Sequence, residues 1–246
     1  MIERATILPP ELTHGFTDRR GGVSAGRFAT LNFGRKWGDD PEALAVNYQR
    51  VAAEGGFSLE TLCLVRQVHG AAVLRAAEVD AASEADAIWS RRGDPPAVVG
   101  VLTADCVPVL LADADARVWA AIHSGWKGTV AGVVPATVAA LVAEGIDPGS
   151  LRAAIGPCIE LAAFEVGPEV AALFPERFVD AASYARPHVD LVGVVRAQLE
   201  DAGVRPQMIE RVGGCTHSDA LHYFSYRRDG AGIGQHLAFI GARGQG

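Results

Sequence analysis

Two short apolar runs on either side of a turn place the strongest constraint on how this chain folds. Residues 107–112 form the first run, which ends in the turn-like segment 113–115, and residues 118–122 form the second. Runs of this length between turn residues are typical of strands covered on both faces. Cys106 directly precedes the first run and His123 directly follows the second. A thiol and an imidazole are therefore expected where two buried strands meet polar loops.

The histidine needs a polar partner at this place. An imidazole buried without a hydrogen-bond partner costs about 1–3 kcal/mol, whereas a buried free cysteine behaves as a small hydrophobe. Cys106 is the candidate partner of His123. A second imidazole, His69, lies in the segment RQVHG (66–70) at the end of another predicted strand. The three side chains make a His₂Cys set at predicted strand ends.

Three protein ligands with a fourth position open to water or substrate form the usual catalytic zinc site, whereas structural zinc sites are closed by four ligands. His69, Cys106 and His123 are separated by 37 and 17 residues, which is too wide to identify a metal site by spacing. Two other interpretations stay open on the residues alone. In the first, the histidines are core residues with hydrogen-bond partners and the cysteine is inert. In the second, Cys106 is a thiolate nucleophile that a histidine activates.

The remaining elements follow from periodicity and from helix and turn signals. Asp40 as N-cap and Pro41 at the first helical position begin a predicted helix at 41–54. Further helices are predicted at 129–144, ended by Gly145, and at 189–202, and further strands at 62–68, 72–77, 97–103 and 152–155. Residues 13–34 are expected to form a structured loop, and residues 215–241 strands around a turn at 228–230. Because strands and helices mix without strict βαβ alternation, the fold class predicted is α/β: a single-domain mixed β-sheet sandwich flanked by helices, over residues 1–246.

Composition limits the class of protein. Hydrophobic residues make up 49% and charged residues 21% of 246 residues, as in ordinary globular proteins. The net charge of −7 argues against nucleic acid as a partner. No signal-peptide pattern is found at the start, and the longest apolar tract is too short to cross a membrane. The four cysteines form no CxxC pair and are expected to be reduced thiols. We therefore expect a cytoplasmic protein that binds small molecules, with neither nucleic acid nor membrane as partner.

Several longer motifs carry a family resemblance. They are HGFTDRRGGVS (14–24), RQVHG (66–70), EADAI (84–88), TADCVPVLLAD (103–113), HSGWKGT (123–129), AAIGPCI (153–159), FEVG (164–167) and CTHSDALHYFSYRRDG (215–230). In this order they resemble the YfiH-type family, whose proteins were first described as laccase-domain or polyphenol oxidase proteins. Members are also described as purine nucleoside phosphorylases with adenosine deaminase side activity, and some bacterial members as peptidoglycan editing factors. The resemblance covers nearly the whole chain.

The resemblance implies one catalytic zinc ion per chain, held by His69, Cys106 and His123. It also implies a β-rich α/β fold and a substrate such as adenosine, inosine or methylthioadenosine. The chain departs from the family pattern at Lys127, where arginine is common, and before Gln235, where an arginine is missing. Lysine keeps the positive charge but lacks the planar fork that binds phosphate through two hydrogen bonds. These departures concern substrate preference rather than the metal ligands.

Phosphorolysis of a nucleoside requires a bound phosphate and a stabilised leaving purine. The cations predicted to bind substrate are Arg19 (or its neighbour Arg20), Arg66 and Lys127. Asp105 is predicted to act in catalysis beside the three metal ligands, and Asp105 and Asp86 are candidates for moving a proton or orienting a histidine. Trp126 and Phe164 are candidates for stacking on the purine, with a core role as the alternative.

Two other functions remain as alternatives. A cysteine-type amide hydrolase that edits peptidoglycan precursors would use Cys106 as its nucleophile. A copper-dependent polyphenol oxidase would use His₂Cys as a blue-copper site, but laccase chemistry needs several coppers and many histidines. The chain has only seven histidines, in no HxH pattern. Copper oxidation is therefore ranked last.

Overall fold

The computed structural model describes residues 1–243, which form two facing β-sheets with helices on their outer faces. The strands are β1 (Ile2–Glu3), β2 (Leu12–Thr17), β3 (Leu62–Cys63), β4 (Val73–Arg75), β5 (Ala87–Arg91), β6 (Val98–Thr103), β7 (Val107–Asp113), β8 (Val118–Ser124), β9 (Leu151–Ile155), β10 (Val179–Asp180), β11 (His188–Val189), β12 (Ile209–Arg211) and β13 (His236–Ala242). The helices are α1 (Pro41–Gly55), α2 (Trp126–Ala131), α3 (Val133–Ala143), α4 (Pro168–Ala171), α5 (Leu191–Asp201) and α6 (Tyr226–Asp229).

Both large sheets are mixed. The six-stranded sheet has the order β12-β9-β7-β8-β5-β4, with parallel pairs at its two edges and antiparallel pairs between them. The five-stranded sheet has the order β1-β2-β13-β6-β3 and is antiparallel except for β3 and β6. Strands β10 and β11 form a separate hairpin-like pair. The predicted mixed-sheet α/β sandwich is confirmed.

Strands β7 and β8 are apolar along most of their length, up to Asp113 at the end of β7 and His123 and Ser124 at the end of β8, because each of their faces meets a different core. Leu110 and Trp119 point into the core between the two sheets, together with Ile240 of β13. Their neighbours Leu111 and Ile122 point to the opposite face, where α3 and α5 pack. Alternate side chains of a strand point to opposite faces of the sheet, so a strand between two cores has no polar face.

Helix α1 covers the outer face of the five-stranded sheet. The Asp40 carboxylate accepts a hydrogen bond from the Glu42 backbone N–H at 3.0 Å and so caps the helix. Tyr48 and Val51 of the helix pack in one cluster with Phe239 of β13. The predicted helix at 41–54 is confirmed to within one residue. Its N-cap, its first-turn proline and its apolar face all favour a helix over the same residues.

In the N-terminal half, two predicted segments were wrong in part and one strand was missed. The loop expected at 13–34 contains β2, which pairs with β13 along five positions. The strand expected at 62–68 is regular only at Leu62–Cys63, and strand β5 at Ala87–Arg91 was not predicted. Pairing with strands that are distant in sequence decides these segments, and local patterns do not report it.

Two predictions further along the chain also need correction. The helix expected at 129–144 is two helices, α2 and α3, separated by Gly132 with φ +82°. The tail expected as strands around a turn holds the short helix α6 and one strand, β13. The Arg228 guanidinium donates to the carbonyl oxygens of Thr216, His217 and Tyr223, which keeps the segment before α6 coiled.

The crossing from β6 to β7 carries the chain from one sheet to the other and sets the position of Cys106. Within this crossing Asp105 has φ +89°, an unusual conformation for a residue with a side chain. Among residues 1–243, no helix combines the length and the apolar character needed to cross a membrane.

Candidate metal centre and cleft

Three elements bring the His₂Cys donors together. Cys106 ends the crossing between the sheets, His123 lies on β8 opposite Pro108 of β7, and His69 lies just before β4 with φ +60°. One donor atom of each side chain lies within 4.8 Å of the donors of the other two. His123 is buried, whereas His69 is exposed. Within residues 1–243 this is the one group of three or more His, Cys, Asp or Glu side chains close enough to share a metal ion.

Asp86 orients both histidines from beneath the cluster. Its carboxylate, which is fully buried, accepts hydrogen bonds from His123 Nδ1 at 2.8 Å, the His69 backbone N–H at 2.9 Å and the Gly70 backbone N–H at 2.6 Å. The proton of His123 is therefore assigned to Nδ1, which leaves Nε2 as the nitrogen free for a metal. A carboxylate behind a metal-binding histidine is the usual outer partner in zinc sites. Of the two roles considered for Asp86, the geometry favours orientation.

The electrostatics of the cluster favour a thiolate. Burial by itself raises the pKa of the Cys106 thiol, but attraction to His123 and hydrogen bonds with His123 and His69 outweigh it and lower that pKa. Burial likewise lowers the pKa of His123, but the Cys106 charge and the bond to Asp86 outweigh it and raise that pKa. Zinc binds thiolate and neutral imidazole, so a bound cation would take the place of the imidazolium proton.

The donor set fits a small tetrahedral ion. Bond lengths of about 2.0–2.3 Å around a tetrahedral centre place donor pairs roughly 3.3–3.6 Å apart. The three donors, all within 4.8 Å of one another, are thus near the spacing that one such ion requires. Gly125 leaves room beside them. A Cβ at this position would lie 2.9 Å from Cys106 Sγ and 3.0 Å from His69 Nδ1. The absence of a side chain at Gly125 keeps the donors accessible.

The cluster opens into a cleft of about 1530 Å³. Five cations line it: Arg35, Lys36, Arg66, Lys127 and Arg227. Asp105 is the single carboxylate in the lining within the described chain, although the protein as a whole has a net charge of −7. A concave surface with cations in excess concentrates anionic ligands. The cleft is therefore suited to an anionic substrate such as phosphate.

Two of the three predicted substrate cations line this cleft. Arg66 lies there and forms an ion pair with Glu84, and the Lys127 ammonium lies 5.5 Å from the centre of the Trp126 ring. Arg19 lies outside the lining. Its guanidinium donates to the Ala29 carbonyl oxygen at 2.8 Å and holds a loop in place. The prediction that Arg19 binds substrate does not agree with this position, because an arginine-rich motif does not show which way each side chain points.

Arg20, the alternative to Arg19, also has another role. Its guanidinium binds the buried Asp18 carboxylate at 2.5 Å. Arg20 is absent from the residues that line the cleft in the described chain. Neither member of the arginine pair therefore faces the metal cluster.

Asp105 lines the cleft, but both oxygens of its carboxylate accept hydrogen bonds from other protein groups. Its Oδ1 accepts from the Thr216 hydroxyl at 2.6 Å and its Oδ2 from the Arg227 backbone N–H at 2.6 Å. The side chain thus ties the loop that carries Cys106 to the wall that carries Arg227. A role in positioning is supported by these contacts, and the predicted catalytic role stays a prediction.

Sequence reasoning missed three of the five cleft cations. Arg35 and Lys36 lie between segment 13–34 and α1. Arg227 is the first of the two arginines in the motif SYRRDG (225–230) and lies in α6. Arg227 donates to the Glu165 carbonyl oxygen at 2.6 Å and lies 5.3 Å from the centre of the Phe164 ring. No local pattern separates these cations from solvated surface charges. Only the packing of the two sheets shows that they share a cavity.

The chain was compared with known proteins. A model of the multi-copper polyphenol oxidoreductase laccase family matches residues 13–243. The Deinococcus radiodurans protein named purine nucleoside phosphorylase is 40% identical over 233 residues, which cover 93% of this chain and 88% of that protein. The Shigella flexneri protein named purine nucleoside phosphorylase YfiH is 35% identical over 230 residues, with 90% of each chain covered.

A solved structure agrees with these matches. The crystal structure of YlmD from Geobacillus stearothermophilus has a TM-score of 0.88 at 29% identity and covers 98% of this chain and 94% of its own. Family model, sequence relatives and fold all extend over nearly the whole chain. The resemblance drawn from the sequence motifs is confirmed, and the chain belongs to the YfiH family of laccase-like polyphenol oxidoreductase proteins.

Proposed function

We propose that this chain is a zinc-dependent purine nucleoside phosphorylase with adenosine deaminase side activity, acting in the cytoplasm as one catalytic domain. Its candidate substrates are adenosine, inosine and methylthioadenosine. The observation that carries the proposal is the His69–Cys106–His123 cluster at one side of a cleft lined by five cations and one carboxylate. Relatives named purine nucleoside phosphorylase support the same reaction class.

Zinc is the ion that the donor set favours. Two imidazoles and a thiolate with an open side are typical of catalytic zinc, whereas multi-copper oxidation requires additional histidine sites. Within residues 1–243 the cluster is the one candidate group. When bound, zinc supplies Lewis acidity that polarises a phosphate oxygen or lowers the pKa of water for deamination.

The chain's own residues then position the reactants. Arg66 and Lys127 bind phosphate oxygens next to the cluster, since both line the cleft. The glycosidic bond from ribose C1′ to the purine nitrogen breaks, a bond from C1′ to an oxygen of hydrogen phosphate forms, and the purine nitrogen takes up the proton that the phosphate loses. Trp126 and Phe164 offer flat faces to the base. Asp86 keeps His123 in the tautomer that leaves Nε2 free.

Product analysis with and without phosphate tests this proposal. Purified protein of measured metal content is incubated with adenosine or with inosine, and the products are separated by chromatography. We expect about one zinc per chain, adenine and ribose 1-phosphate from adenosine, hypoxanthine from inosine, and a smaller yield of inosine from adenosine. Product formation that is indifferent to phosphate concentration would show a hydrolase instead.

A cysteine-type amide hydrolase is the second candidate, and one observation favours it. Asp86, His123 and Cys106 stand in the order acid, base and thiol, which is also the order of a nucleophilic triad. A nucleophilic cysteine needs no metal. The metal content of the variant Cys106→Ser separates the two functions, because a nucleophile can be lost without loss of metal whereas a ligand cannot.

A further inference from the structure

The cleft has a second wall that the proposed reaction does not use. It consists of Arg35, Lys36, Trp37 and Tyr48, all of which line the cleft, and we call these four residues the distal wall. The Arg35 guanidinium lies 5.8 Å from the centre of the Tyr48 ring. The Lys36 ammonium lies 4.9 Å from the centre of the Trp37 ring. Each cation of the distal wall is therefore paired with an aromatic face.

The same chemistry occurs on the metal side of the cleft. Lys127 lies over Trp126 and Arg227 over Phe164, at 5.5 and 5.3 Å. Cations bind phosphoryl oxygens and flat aromatic faces stack on bases. The cleft thus presents two surfaces that each suit part of a phosphorylated nucleoside.

The distal cations are not neutralised by neighbouring acids. Among residues 1–243, neither Arg35 nor Lys36 takes part in a salt bridge. The nearby Asp39 carboxylate is buried and binds the Ser24 hydroxyl and the Asn32 amide. Cations on a concave wall without an acidic partner favour an anion in the cavity.

The size of the cleft also favours a ligand with an additional anionic group. Its volume of about 1530 Å³ exceeds the roughly 300–1,000 Å³ of most small-molecule sites. We propose that the distal wall is a phosphoryl subsite that binds the 5′-phosphate of a nucleoside 5′-phosphate. The placement of the nucleoside part on the metal side rests on the proposed function.

Equilibrium binding tests this subsite without relying on turnover. Adenosine and adenosine 5′-monophosphate are titrated by calorimetry into the metal-loaded protein and into a variant with Arg35→Gln and Lys36→Gln. We expect the monophosphate to bind at least about tenfold more tightly than adenosine, and the variant to lose that preference while its affinity for adenosine is unchanged. Added salt should weaken binding of the monophosphate alone.

Matched variants control for charge and for folding. Arg177, which lies over Phe178 at 4.8 Å and outside the cleft lining, offers a cation–aromatic pair of the same kind. Arg177→Gln should leave the preference for the monophosphate intact. A variant with Arg35→Lys and Lys36→Arg keeps both charges and should retain most of the preference.

Three results would overturn the proposal. The first is equal affinity for adenosine and its monophosphate in the unaltered protein. The second is an unchanged affinity ratio in the glutamine variant. The third is a glutamine variant whose KM for inorganic phosphate rises while its relative affinity for adenosine and the monophosphate stays the same. The distal wall would then bind free phosphate and not the 5′-phosphate of a nucleotide. If the monophosphate binds through Arg35 and Lys36 but no nucleoside is split, the subsite stands and the proposed function fails.

Discussion

Asp86 and His123 are joined twice, through side chains and through backbone. The Asp86 carboxylate accepts from His123 Nδ1 at 2.8 Å, and the Asp86 carbonyl oxygen accepts from the His123 backbone N–H at 2.7 Å. The second bond lies one position beyond the paired residues Ala87 and Ile122 of β5 and β8 and so extends that pairing. The sheet itself therefore sets the distance between the carboxylate and the imidazole, which holds the His123 ring in a fixed position.

Asp86→Asn should lower zinc affinity about 10–100-fold, as loss of an outer carboxylate partner usually does. The asparagine amide has one acceptor oxygen, so its NH₂ group would face one of the N–H donors of His123, His69 or Gly70 that now bind the carboxylate. Competition with a coloured chelator measures the affinity. Asp113→Asn is the matched control, because Asp113 is also fully buried and binds the backbone N–H groups of Arg117 and Val118 at the far end of β7. Equal losses in both variants would show a general folding effect instead.

Cys106→Ser should remove most of the bound zinc and the activity together, because a serine hydroxyl stays protonated near neutral pH and binds zinc poorly. Metal analysis and turnover are measured on the same samples. Loss of activity with full metal content would instead identify Cys106 as a covalent nucleophile.

Serine at the other cysteines should leave zinc and activity largely intact, with a stability loss of about 1–2 kcal/mol at the buried position. The buried one is Cys158, whose Sγ lies 3.6 Å from Arg211 Nη2 and whose pKa burial raises to about 12. It should therefore resist thiol reagents at neutral pH. Loss of metal in Cys158→Ser with retention in Cys106→Ser would reverse the ligand assignment.

Arg66→Ala should raise the KM for phosphate about tenfold or more and change the KM for the nucleoside much less, because a charge-assisted contact to phosphate is lost. Initial rates over a matrix of both substrates give the two constants. Arg91→Ala removes a similar exposed ion pair, with Glu144 at 3.3 Å, outside the cleft. That control should change neither constant. A rise confined to the nucleoside KM would refute a phosphate role for Arg66.

Asp105→Asn should keep the zinc and raise the KM for the nucleoside, because the amide can no longer accept from both Thr216 and the Arg227 backbone. The pH profile of kcat separates this positioning role from a catalytic one. An unchanged profile supports positioning. The disappearance of one limb of the profile would show that Asp105 moves a proton.

His236 should make the protein less stable as the pH falls. Burial lowers its pKa from 6.5 to about 4, and its Nε2 accepts from the Phe224 backbone N–H. The unfolded chain takes up a proton below about pH 6.5 that the folded chain takes up only near pH 4. Stability is therefore full above pH 6.5 and falls by about 3 kcal/mol by pH 4. Urea unfolding from pH 7 to pH 4.5 should show a smaller loss in His236→Gln, whose side chain does not titrate; equal losses would contradict this origin.

Local patterns were sufficient where one short segment decides its own structure. The apolar runs of β7 and β8 predicted buried strands, and Asp40 with Pro41 predicted the start of α1. Patterns failed where a distant partner decides. Strand β2 exists because β13 pairs with it, and β5 because β8 and β4 lie on either side of it.

The sequence by itself determined the chemical identity of the donors, the two buried strands beside Cys106 and His123, and the family. Only the tertiary structure decided that the three donor atoms lie within 4.8 Å of one another, that Asp86 orients His123, and that Arg35 and Arg227 share a cleft that Arg19 does not line. The physical reason is that local sequence governs backbone propensity and the side of a strand that is buried. Cavities and ligand sets arise where two sheets meet, and they depend on contacts between residues far apart in the chain.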